Sequence, residues 1–235
     1  RLRRGSKQLN FEFCFRHSQP IRGGRILLNN FLCSDSCMGV IKAIIFDAGG
    51  VIQRGSGLHF VSSVRDKLGL EPAGNAVSLV VFDRDMNLGR ISVRDALAKM
   101  YPNASERQMR EMLLLWRKEW PTDWEMIELV KKLKEHYVVS MISNSDPVHE
   151  ERFREEHVLE LFDKPVLSHK AGLVKPDERI FKLALHSLGV KAGECVFIDD
   201  AIENVEAAKR LGFKAVRFSG IKQLLQELRG MGIAI

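Results

Sequence analysis

The sequence predicts an α/β protein: a parallel sheet covered by helices on both faces, with further helices inserted after its first strand. Three observations predict it. From residue 38 onward, short apolar runs alternate with helical stretches, at "VIKAIIF" (40–46), "YVVSMIS" (137–143), "KPVLS" (164–168), "CVFID" (195–199) and "KAVRF" (214–218). These runs are largely apolar and do not alternate with polar residues, the pattern of strands buried on both faces. About ninety residues separate the first run from the second while the later runs lie closer together, so an insertion belongs in that gap.

The elements follow in order. The first run ends in Asp47-Ala48-Gly49-Gly50, a turn sequence. Residues 58–120 then read as successive helices: "LHFVSSVRDKLGL", a stretch around "AVSLVVFDRDM", "SVRDALAKMY" and "SERQMREMLLLWRKEW". Ser92 with Asp95 and Ser105 with Gln108 form capping boxes for the last two, each hydroxyl serving a backbone N–H three residues on. Pro121 ends the insertion, and Thr122 with Glu125 is expected to cap a new helix, "DWEMIELVKKLKEHY", that returns to the sheet. The predicted organisation is a tail at 1–37, a core at 38–57 and 121–235, and a helical cap at 58–120. Trp116, Trp120 and Trp124 fall four apart across the last junction and are expected to pack between cap and core. In "VHEERFREEH", His149 and His157 are eight apart, off the four-residue spacing with which two histidines share zinc on a helix face, so a solvated charged face is expected.

With 235 residues, 45% hydrophobic and 28% charged, the chain can bury a full core. No apolar run approaches the roughly 20 residues of a membrane-spanning helix, and a cytoplasmic protein with no membrane partner is expected. The net charge of +6 is concentrated at the start: residues 1–37 hold seven Lys/Arg against two Asp/Glu, a net of +5, which leaves +1 for residues 38–235. A near-neutral body argues against nucleic acid as a partner. The segment 1–37 has no Met and no helical period, and is expected to be unstructured or not native. A transit peptide is the functional rival, because the segment is Arg-rich and poor in acids, but "FEFCFRH" alternates as a strand does. Cys14, Cys33 and Cys37 lie in that segment and Cys195 in the body, so no disulfide framework is expected and a reducing compartment is. Cys33 and Cys37 have no second Cys/His pair at zinc-ligand spacing.

In open parallel sheets, ligands bind outside the carboxyl ends of the strands, where loops and helix N-termini present polar groups. Those ends carry Asp47; Ser143-Asn144-Ser145-Asp146, with Pro147 opening a helix; Lys175, ahead of Pro176 in "HKAGLVKPD"; and Asp199-Asp200. Asp47 and Asp200, with backbone carbonyls and water, suit magnesium, a hard cation that takes one or two protein carboxylates plus substrate phosphate. Ser143 and the amides of the glycine turn can donate to phosphate oxygens, and Lys175 can neutralise charge as a phosphoryl group transfers. The less tightly paired oxygen of Asp47 could then attack phosphorus and carry the group covalently. Singly, each feature has an ordinary explanation: Asp after a strand as a turn residue, Lys-Pro as a helix start, an acidic pair as solvated surface. Their conjunction, in order and at matching strand ends, points to a phosphate site.

Those residues resemble the haloacid dehalogenase (HAD) superfamily, whose four motifs run in this order over essentially all of residues 40–219. "IIFDAGGVI" matches the first motif with Asp47 at the nucleophile position, "SMISNS" the second through Ser143, "GLVKPDERIF" the third through Lys175, and "VFIDDAIENVEAAKRLG" the fourth with Asp200 at the metal position and Asp199 supporting it. The resemblance implies a Rossmann-like parallel core with an inserted helical cap of the first type, and "GRIS" at 89–92 is similar to a turn of such caps. It also implies Mg2+ held by Asp47, the carbonyl of Gly49 and Asp200, catalysis by Asp47 and Lys175, and substrate phosphate bound by Ser143, Asn144, Lys175 and Gly50.

One position departs from the pattern. The superfamily's phosphatases usually carry a second Asp two residues after the nucleophile as general acid and base, and here that residue is Gly49. The carbonyl contact to metal survives this change, but proton transfer of the kind typically worth about 10² to 10⁴ in rate does not. The leading expectation is a magnesium-dependent phosphomonoesterase of a small phosphorylated metabolite, working on a good leaving group or using water, Arg54 or His59 in place of the acid. A 2-haloacid dehalogenase, in which Asp47 attacks carbon, and a non-catalytic phospho-ligand-binding regulator are the alternatives.

Overall fold

The computed structural model describes residues 40–55, 57–73 and 84–235. The expected tail at 1–37 and most of the helix expected around "AVSLVVFDRDM" lie outside the described residues. Five parallel strands form the sheet: β1 (Ala43–Phe46), β2 (Val138–Ser143), β3 (Val166–Leu167), β4 (Cys195–Asp199) and β5 (Lys214–Arg217), in the order β3-β2-β1-β4-β5. Phe46 lies opposite Met141 on one side and Ile198 on the other. Asp47 therefore leaves the sheet between β2 and β4, where the winding changes direction and a crevice opens outside the strand ends.

The unbroken apolar runs are explained by two separate cores. Alternate side chains of β1 point to opposite faces: Ile44 and Phe46 join Met126, Val130 and Leu133, while Ala43 and Ile45 join Ile180, Phe181 and Phe197. β3 is shorter than its sequence run, because Lys164 takes a positive φ of 47° and Pro165 has no N–H to give the ladder.

Between β1 and β2 lie α1 (Gly57–Leu68), α2 (Arg84–Asn87), α3 (Val93–Met100) and α4 (Glu106–Lys118). Both expected capping boxes form, with Ser92 accepting from the Asp95 N–H and Ser105 from the Gln108 N–H. The inward faces gather a third apolar cluster that includes Phe60, Val64, Leu97, Met112 and Trp116. Within "GRIS", Gly89 has φ +71° and comes so close to the backbone of His169 that a Cβ would overlap it.

The next helix, α5 (Trp124–Lys134), corrects the expected cap. Asp123 accepts from the N–H groups of Glu125 and Met126, whereas the Thr122 hydroxyl donates to Glu156 at 2.5 Å. Asp123 starts the helix because its carboxylate reaches two of the first orphan donors and Thr122 is held elsewhere. Trp124 is also corrected: it is 55% exposed, while Trp116 and Trp120 are buried.

A third correction concerns "VHEERFREEH". In α6 (Pro147–Glu155), His149, Glu150, Arg152 and Phe153 are buried, because this helix receives the end of α4. Arg152 donates to the carbonyls of Arg117 (2.9 Å) and Trp120 (2.7 Å), and Arg117 pairs with Glu155. Of the expected solvated pair only His157 is exposed. After β3 come α7 (Ser168–Ala171), α8 (Glu178–Leu188), α9 (Ile202–Arg210) and α10 (Ile221–Gly230). Among the described residues no helix is long and apolar enough to cross a membrane.

Candidate active site

β1 and β4 end side by side, so Asp47, Asp199 and Asp200 are neighbours, with one carboxylate oxygen from each lying within 4.8 Å of the other two. Lys175 enters between them: its Nζ lies 2.6 Å from Asp47 Oδ1 and 2.7 Å from Asp199 Oδ2. Asp47 Oδ1 also accepts from the Ala48 N–H, which leaves Oδ2 without a protein hydrogen bond among the described residues. Asp199 is fully engaged, accepting from Lys175, from the Ala201 N–H and from both approaches of Asn204 Nδ2. Asp200 stands at the exposed rim.

Charge and burial compete here. Burial pushes the Asp47 carboxyl up to about 7, and the charges of Asp199 and Asp200 push the same way against Lys175. Burial works to neutralise Lys175, but Asp47 and Asp199 hold its pKa above that of an ordinary lysine, so it stays a cation. Burial raises Asp200 as well, helped by Asp199. One cation faces three carboxylates. The surplus of negative charge on hard oxygen donors is what a divalent cation offsets, and the donor set fits one.

The two glycines after Asp47 do different things. Gly50 has φ +72° and a Cβ on it would overlap the Asp200 carboxylate, so it makes room for Asp200. A Cβ on Gly49 would meet nothing within 4 Å. Gly49 opens onto a cavity of about 130 Å³ that Ser143, Gln53, Trp116, Trp120 and His149 also line. A larger groove of about 500 Å³ runs past Lys164 and Lys170 beside β3 and contains none of the candidate residues.

Ser143 ends β2 buried and faces this cavity. The Asn144 carboxamide donates to the Lys175 carbonyl at 3.2 Å and accepts from the Lys175 N–H at 2.8 Å, so its side chain holds the lysine's backbone in place. Arg54 is turned away onto Asp123 at 2.7 Å, and neither it nor His59 lines the cavity.

A haloacid dehalogenase-like hydrolase family model matches residues 41–212. The chain belongs to that family. Among the curated relatives of this chain, D-ribitol-5-phosphate phosphatase of Bacteroides thetaiotaomicron is 27% identical over 210 residues, covering 80% of this chain and 97% of that one. The sesquiterpene phosphatase astK of Aspergillus oryzae is 32% identical over 109 residues, 46% of this chain and 56% of that protein. The match to the drimenol cyclase drtB of Aspergillus calidoustus spans 26% of its length, so the chain corresponds to only part of these two proteins. In fold it resembles a HAD family enzyme of Bacteroides thetaiotaomicron crystallised with magnesium and inorganic phosphate, with a TM-score of 0.67, 23% identity, and coverage of 78% of this chain and 98% of that one.

Several residues at the candidate site carry no motif signal in the sequence. Asn204, one turn into α9, clamps Asp199. Asp146, His149 and Trp116 form a buried unit on the cavity wall: Asp146 Oδ2 meets His149 Nδ1 at 2.7 Å and the Trp116 Nε1–H at 3.1 Å, and His149 Nε2 points at the Trp116 carbonyl at 3.2 Å. Although burial opposes it, His149 holds the Asp146 carboxyl below the ordinary carboxylate range. Asp at an N-cap position was legible as a signal for Asp146, but its partner in α4 was not.

Proposed function

We propose that this protein is a magnesium-dependent phosphomonoesterase of a small phosphorylated metabolite, working through an aspartyl-phosphate on Asp47. The observation that carries this reading is the meeting of Lys175 with Asp47 and Asp199, with Asp200 beside them, at strand ends next to a small cavity that Gly49 and Ser143 line. The likeness to D-ribitol-5-phosphate phosphatase, which runs over nearly the whole of that protein, supports it.

The chain's residues have these roles. Ser143 and the backbone amides that follow Asp47 donate to the phosphate oxygens, and Lys175 counters the charge of Asp47 as the two anions approach. Asp47 Oδ2 attacks phosphorus, the bond to the ester oxygen breaks, and the leaving oxygen takes a proton from water. A second water then attacks phosphorus, the bond to Asp47 breaks, and inorganic phosphate leaves with the carboxylate restored. The Asp47 and Asp200 carboxylates and the Gly49 carbonyl would hold Mg2+, which supplies positive charge for the phosphoryl oxygens. Helices α1 to α4 act as a cap over the cavity, excluding bulk water and limiting leaving-group size.

The test is phosphate release from a panel of sugar and polyol phosphates, nucleotides, phosphoglycolate, acyl phosphates and an aryl phosphate, with magnesium and with chelator. Release that requires magnesium is expected. Absence of release from every member, or release unchanged by chelator, contradicts the reading, and halide release from 2-haloacids that persists in chelator would assign the site to dehalogenation instead.

A further inference from the structure

Gln53 lies six residues after the nucleophile position, and its buried Nε2 has no hydrogen-bond partner. Buried side-chain donors nearly always have one, so an orphan amide in a cavity wall calls for an occupant. Its backbone is fixed on both sides by bridges to Gly49 and to Thr122. Its N–H donates to the Ala48 carbonyl at 2.8 Å, and the neighbouring Arg54 N–H donates to the Pro121 carbonyl at 2.9 Å. Gln53 thus sits where the chain enters and leaves the helical insertion, held in place beside the open side of Gly49.

The cavity it lines restricts what the amide can meet. The two titratable residues of the lining, Asp146 and His149, are committed to each other at 2.7 Å. The other polar side chains there include the carboxamides of Gln53 and Asn87 and the hydroxyl of Ser143, with Trp116 and Trp120 as the apolar wall. A volume of about 130 Å³ holds roughly four waters, at about 30 Å³ each. Among the described residues, nothing in this lining offers a free cation to a second anionic group.

We propose that Gln53 is a substrate-binding residue whose Nε2–H donates to an uncharged oxygen, hydroxyl or carbonyl, on the organic part of the phosphomonoester next to the ester oxygen. It selects small, uncharged, oxygen-bearing leaving groups over purely apolar ones. This deepens the phosphomonoesterase reading and rests on it for the direction in which the substrate lies.

The test uses two non-hydrolysable ligands, dihydroxypropylphosphonate and propylphosphonate, titrated by calorimetry with magnesium into wild type, Gln53→Met and Gln53→Glu. Wild type is expected to prefer the dihydroxy ligand. Gln53→Met, similar in size but without the donor, is expected to lose about five- to tenfold in affinity for that ligand while binding propylphosphonate as before. Gln53→Glu, which places an anion near the phosphonate, is expected to weaken both. Retained propylphosphonate binding shows that the variant is folded. Equal effects of Gln53→Met on both ligands, no effect on either, or no wild-type preference would each overturn the assignment. If the selective loss is seen in a protein that releases phosphate from no ester, the donor role stands and the catalytic reading fails. If the enzyme turns over and Gln53→Met binds both ligands like wild type, only the Gln53 assignment fails. Binding of neither phosphonate overturns both.

Discussion

Lys175 Nζ lies 2.6 Å from Asp47 Oδ1, with 1% of the lysine side chain and 10% of the aspartate side chain exposed to solvent. This buried pair is not isolated, since the same ammonium bonds Asp199 at 2.7 Å. Burying a charge is costly unless it is paired and hydrogen-bonded, so each member depends on the others.

Removing the cation leaves the carboxylates facing one another in a dry site. Lys175→Met is expected to destabilise the protein by about 3–5 kcal/mol, the range for breaking one side of a buried pair. It is also expected to lower kcat by at least about 10²-fold through lost charge stabilisation. Denaturant unfolding beside a phosphate-release assay measures both, and a variant as stable and active as wild type contradicts the role.

Gly49 faces open space and does not have a positive φ, so an aspartate fits there without strain. Gly49→Asp is expected to raise kcat/KM for alkyl phosphates at least about tenfold, within the range of general acid catalysis, while aryl phosphates change little. The wild-type rate is correspondingly expected to fall steeply as leaving-group pKa rises. A flat leaving-group dependence in wild type argues against a missing acid.

Gly50 is expected to tolerate nothing larger. An alanine there would be strained at φ +72° and would displace the Asp200 carboxylate. Gly50→Ala should raise the magnesium concentration needed for half-maximal activity by about tenfold or more, a shift read from activity against metal concentration.

Glu150 joins α6 to α7. It meets Lys170 at 2.5 Å, Arg154 at 2.7 Å and His169 at 3.0 Å, and although burial opposes them these contacts hold its carboxyl down at about 2. A depressed folded-state pKa contributes stability that is present above the unfolded value, near 4.5, and is lost as pH falls towards 2. The contribution is on the order of 3–4 kcal/mol, because one pKa unit corresponds to about 1.4 kcal/mol. Glu150→Gln should remove that part of the acid destabilisation; equal acid sensitivity of variant and wild type between pH 4.5 and 2 would count against it.

The fold was legible where local sequence decides the structure. Apolar runs buried on both faces give the five strands, and Ser92 and Ser105 find their partners three residues away, inside the window a sequence reader sees. The candidate site was legible for the same reason, since Ser143 and Asp199 each end a strand and Asp47 directly follows one. What escaped depends on partners distant in the chain. The charged run at 148–157 gives no hint that Arg152 serves carbonyls more than thirty residues earlier, or that His149 is closed in by Trp116 and Trp120. Thr122 and Asp123 are both good N-cap residues, and the choice between them was made by Glu156 taking the threonine hydroxyl. Gln53 carried no signal in the sequence, because its burial follows from the pairing of two chain segments about seventy residues apart.

The central claim is a phosphoryl group carried on Asp47. Acid quenching during turnover of a substrate with a radiolabelled phosphate, followed by peptide mapping, tests it most directly, with Asp47→Asn as the control. The expected result is label on the Asp47 peptide of wild type and none in Asp47→Asn, which should also lose at least about 10³-fold in rate while remaining folded. Phosphate release by Asp47→Asn at the wild-type rate, or turnover by wild type with no label on Asp47, would contradict the account.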